Sequence, residues 1–160
     1  MLLQTVWMGN ARLSIEGLEP MEIARWIITF VAIVTAFGGL MADYFVPFGA
    51  KQHLKNPLWK PHAKFHNAQG ILMGLLQGVL AVAVLFVLPV NLGTILLAAI
   101  IASLYWVALM AAPVFPETAW VDPEFEAEVG KPLGLHPQQL IGYILLVLLL
   151  AAIAIAFLNR

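Results

Sequence analysis

A chain of 160 residues that is 62% hydrophobic and only 11% charged does not have the composition of a soluble domain, in which roughly a quarter of residues are charged. Its formal net charge of −1 offers no basic field for nucleic acid, and the lack of cysteine excludes disulfides, thiolate nucleophiles, iron–sulfur clusters and cysteine-ligated zinc. With a mean hydropathy of +0.91, the chain reads as an integral membrane protein.

Residues Met1 to Pro20 mix apolar and polar side chains around Trp7, which suits a segment lying in the membrane interface or, equally, a frayed tail, rather than a cleaved signal peptide. Four apolar runs follow, each long enough for the roughly 20 helical residues that cross a hydrocarbon core. They are placed at Ala24 to Ala42, Ala68 to Leu88, Leu92 to Ala112 and Leu140 to Leu158. Strict alternation is absent, so the expected fold is an all-α integral membrane four-helix bundle, a single domain over 1–160. Spans 2 and 3 are joined by a short turn after Leu88-Pro89 and form an antiparallel hairpin. Four spans put the loop after span 1 and the loop after span 3 on the same side. All four histidines and six of the nine carboxylates then share one face. Lysines and arginines divide five to three in favour of that face, which places it in the cytoplasm by the positive-inside tendency.

The chemistry is concentrated where the first loop enters span 2. His62 and His66 stand four residues apart, on one face of a helix that begins near Pro61. Gly70, Gly74 and Gly78 carry the same spacing inward, with Gln77 beside them as an intramembrane amide that needs a partner. Two chemistries suit this set. In the first, His62 and His66 ligate a transition-metal ion, with His53, Asp43, Glu117 or Asp122 completing the shell. Alternatively, an imidazole is the axial ligand of a haem lying against the bare Gly70/Gly74 strip. In the second, a carboxylate and a histidine act as acid and base on an apolar substrate without metal. Bland readings stand beside both: interfacial histidines, a glycine strip that is only a helix-packing seam, and lysines that answer lipid headgroups.

The stretch N-P-L-W-K-P-H-A-K-F-H (Asn56 to His66), with Asp43 and His53 ahead of it and Phe115 to Phe125 (F-P-E-T-A-W-V-D-P-E-F) behind, resembles a family of small four-helix membrane proteins of fungi and bacteria with no settled function. The match covers roughly residues 35 to 125 and brings no established catalytic residues. In architecture the chain also resembles styrene oxide isomerases, in which a histidine entering span 2 serves a haem b; His66, Gly70, Gly74 and the run to Leu88-Pro89 echo that plan. That resemblance implies a haem iron acting as Lewis acid on an epoxide, and a homo-oligomer, a trimer. The expected function is an enzyme that rearranges a small lipophilic substrate in the bilayer, with Asp43, Glu117 and Asp122 handling protons. A metal-free isomerase of an isoprenoid or sterol-like alkene, and a non-catalytic subunit or small transporter, are the alternatives.

Overall fold

The computed structural model describes residues 19–159; the expected interfacial segment up to residue 18 lies outside them. Five α-helices are formed: α1 (Pro20–Leu40), the short α2 (Pro47–Gln52), α3 (Pro61–Val87), α4 (Leu92–Ala111) and α5 (Pro137–Leu158), with no strand among the described residues. A π-helical turn, Met41–Phe45, continues α1. Proline opens α1, α2, α3 and α5, where its missing N–H costs nothing and its fixed φ suits the first turn. α4 starts on a side-chain cap instead: Asn91 Oδ1 accepts from the Thr94 N–H at 3.0 Å, and the Thr94 hydroxyl donates to the Pro89 carbonyl at 2.7 Å, closing the expected hairpin turn.

Four helices are long and apolar enough to cross a membrane, and they form the expected bundle. Three of them begin earlier than the apolar runs, because their first turns are polar. α3 has 27 residues, or about 40 Å at 1.5 Å per residue, some 10 Å more than a hydrocarbon core. Its turns carrying His62, Lys64 and His66 are the excess.

In cross-section α1 packs most heavily on α3, then α5; α4 closes the ring between them and also meets α1 across the diagonal. Small residues make this possible. Ala24, Ala32, Ala81, Ala98, Ala99, Ala102, Ala152 and Ala156 are buried at the axis with Ile28, Leu85, Ile95 and Leu149. Since lipid tails are as apolar as leucine, close backbone approach and interhelical hydrogen bonds hold such a bundle rather than burial from water. The tightest approach is α3 on α1: a Cβ at Gly78 would overlap the carbonyl oxygen of Ala32, and one at Gly74 would lie 2.8 Å from that of Thr35. One polar bond ties the diagonal. Trp106 Nε1 donates to Thr35 Oγ1 at 2.8 Å, and that hydroxyl donates to the Val31 carbonyl at 2.8 Å. Thr35→Val keeps the shape and leaves the buried indole N–H unpaired, so we expect about 1–2 kcal/mol of destabilisation, read as a lower midpoint in detergent unfolding.

Candidate active site

At the loop end of the bundle the helices part around a cavity of about 560 Å³. Its apolar floor is the end of α1 and α4, including Val34, Gly38, Trp106 and Leu109; Ile141 contributes from α5, and both long loops roof it. The two loops therefore do lie at one end of the molecule. They are also joined to each other: Trp59 Nε1 donates to Asp122 Oδ2 at 3.4 Å and Lys51 lies 3.8 Å from Glu128, while the Gln138 amide at the start of α5 donates to the Trp120 carbonyl of the second loop.

Within the cavity the polar groups gather on Asp43. The π-helical turn inserts one residue into the end of α1 and turns Asp43 inward, half-buried; such bulges recur at functional sites. Asp43 Oδ2 accepts from Asn67 Nδ2 at 2.8 Å, and Oδ1 lies 3.4 Å from His53 Nδ1. His53 Nδ1 is also 2.8 Å from the Gly49 carbonyl oxygen. A carbonyl only accepts, so Nδ1 carries a proton and Nε2 is the nitrogen left to exchange one. This is the arrangement of an oriented imidazole acid–base group. Glycine is required at position 49, because a Cβ there would overlap the Ala42 carbonyl oxygen of the π turn.

The motif around Trp59 has a structural reading as well. Asn56, buried, accepts the Leu58 N–H on its Oδ1 at 2.8 Å, a local turn that, followed by Pro57, delivers Trp59 to the cavity. The Trp59 ring stands edge-on to His53, centroids 5.7 Å apart.

Of the residues expected at the site, the structure brings Asp43, His53 and Asp122 to the cavity wall. It does not bring His62, His66, Gly70, Gly74, Gln77 or Glu117 there. His62 and His66 do meet, Nε2 to Nε2 at 3.1 Å, but on the exposed side of α3, with His66 Nδ1 3.2 Å from Gln69 Oε1. Spacings of four drift by about 40° per step on a helix of 3.6 residues per turn, so His62 and Gly78 lie on nearly opposite sides. The expected single face is thus two faces. Gly74 and Gly78 are the seam against α1, whereas Gly70 faces open space. A haem bed fits neither: the first pair is filled by the α1 backbone, and among the described residues nothing lies within 4 Å of a Cβ built at Gly70. The His62/His66 pair supplies two nitrogens, and among the described residues no third metal-ligating side chain joins it. Gln77 is half-buried in mid-span with its Oε1 unpartnered. Glu117 is exposed, at φ +63° in the left-handed region, on a turn where the Thr118 hydroxyl donates to the Phe115 carbonyl at 2.9 Å. His136 pairs with Glu126 at 3.3 Å, and the Glu126 carboxyl is held below its ordinary range by the Lys131 hydrogen bond first and by His136 second.

Asn67 and Gly49 were not anticipated. Asn67 was legible: stepping back from the buried Leu85, Ala81, Gly78, Gly74 and Ile71 at intervals of three and four lands on it. Gly49 carried no such signal, since its requirement comes from the π turn.

The chain is thus a four-helix membrane protein with a loop-roofed cavity at one end, apolar at its floor and polar around Asp43. The chain belongs to the DUF6640 family, a family of unknown function whose model matches residues 27–155. No curated protein and no solved structure matches it.

Proposed function

We propose that the protein is an integral membrane isomerase that moves a double bond in a small lipophilic alkene by proton transfer inside the loop-end cavity. The observation that carries this reading is the Asp43–His53 contact above the apolar floor of the cavity, with the imidazole oriented by Gly49 and Asn67 holding the second carboxylate oxygen. The His53 imidazolium donates a proton to one alkene carbon, and the Asp122 carboxylate removes one from the carbon on the far side of the cation so formed; atoms and charge balance without a co-reactant. The apolar floor receives the hydrocarbon, and the joined loops keep water from the cation formed between the two steps. The loops face the cytoplasm in this reading, on the side favoured by their lysines.

Turnover of a panel of isoprenoid and sterol alkenes in D2O, with the protein in liposomes, tests it. Product should carry one solvent deuterium at the protonated carbon, and chelators should leave the rate unchanged. Isomerised product without deuterium, or a rate abolished by chelation, would overturn the mechanism.

A second reading places metal chemistry at the surface, favoured by the 3.1 Å between the His62 and His66 Nε2 atoms, a spacing two ligands of one ion share. It expects a purified protein holding stoichiometric zinc, copper or iron that is lost in His66→Ala.

A further inference from the structure

We propose that the same cavity selects lipophilic amines: compounds with one protonated nitrogen on an apolar body. This deepens the isomerase reading, on which it rests for taking the cavity as the site. Two carboxylates, Asp43 and Asp122, line the cavity, and among the described residues no lysine or arginine does. Their partners there are uncharged donors, the Asn67 amide and the Trp59 indole, and the His53 imidazole. The cations of the first loop that stand nearest are turned elsewhere. Lys51 lies by Glu128 and 5.4 Å from the centroid of the Phe125 ring, and Lys55 stands 5.0 Å over the Tyr44 ring. A cavity whose described wall carries two carboxylates against a single imidazole disfavours phosphates and carboxylates and favours a cation.

The walls agree with this. Phe48, Trp59, Tyr105, Trp106 and Trp120 line the same space. Aromatic faces attract an alkylammonium through their quadrupoles, most strongly where water is excluded. Two acids and five aromatic rings around an apolar floor are therefore the lining for an ammonium group on a hydrocarbon body. In the reaction above, the same features would hold the transient carbocation, of which the amine is a stable counterpart.

The test is calorimetric titration of the full chain in phosphatidylcholine nanodiscs, with empty nanodiscs subtracted. Three probes of one shape are compared: N,N-dimethyl-3-phenylpropylamine, 3-phenylpropan-1-ol and 3-phenylpropanoate. The amine should bind at least about tenfold more tightly than the alcohol, the carboxylate should not bind measurably, and Asp122→Asn should bring the amine to the alcohol's affinity. An amine no better than the alcohol, or a carboxylate that competes with it, would overturn the inference. The two readings fail separately. His53→Gln keeps both acids and should still prefer the amine, so amine selection without alkene turnover in the wild type would sink the isomerase alone. Deuterium-labelled product from a cavity indifferent to charge would sink the amine inference alone.

Discussion

Asp43→Asn is expected to lower turnover by about 10²–10⁴-fold, the range a positioned acid–base group contributes, while the bundle stays folded. The substitution keeps size and removes charge. In the native chain one carboxylate oxygen faces His53 Nδ1 and the other accepts from Asn67. An asparagine can offer an oxygen to only one of them; its NH2 then opposes either the Asn67 amide donor or the Nδ1–H that the Gly49 carbonyl fixes. The imidazole loses its charge partner and part of its orientation together. The unfolding midpoint separates this from collapse: it should move little, because the site lies at the loop end and the packed axis lies below it. A variant with normal turnover would remove Asp43 from the chemistry.

Gly78→Val should damage the bundle itself, by about 2–3 kcal/mol or more, the ordinary cost of forcing extra methylenes into a packed contact. Here the obstacle is backbone. The added Cβ would meet the Ala32 carbonyl oxygen and lie 2.7 Å from the Ala36 Cβ, so neither side can yield by changing a rotamer. α3 must move away from α1, and Asn67 moves with it. Gly70→Val, whose Cβ meets nothing within 4 Å, is the matched control and should be nearly neutral. Equal unfolding midpoints for the two variants would contradict the seam assigned here.

These glycines show where the sequence was legible. The four spans, the proline-opened helices and the shared side of the two loops follow from run length and parity, which lipid enforces because every backbone group must be satisfied within a helix. Asp43, His53 and Asp122 were identifiable as chemistry-bearing residues on that side. Their grouping was not. His62 and His66 drew attention because they are close in sequence, yet proximity along a helix also carries a pair around it, and this pair ends on the outer surface. Asp43 and Asn67 are 24 residues apart and meet only because a π turn, invisible to any periodic pattern, re-aims the end of α1. The buried stripe of α3, extended back to residue 67, would have marked the amide. No local signal marks Gly49, whose role depends on a carbonyl seven residues earlier in a distorted turn.

The proposed site is the cavity and not the surface histidine pair. The most direct measurement compares alkene isomerisation by two variants in the same liposomes: His53→Gln, and the double variant His62→Ala/His66→Ala. A loss of at least about 100-fold is expected for the first, and turnover within a few-fold of wild type for the second. The reverse pattern, with the pair essential and His53 dispensable, would contradict that assignment.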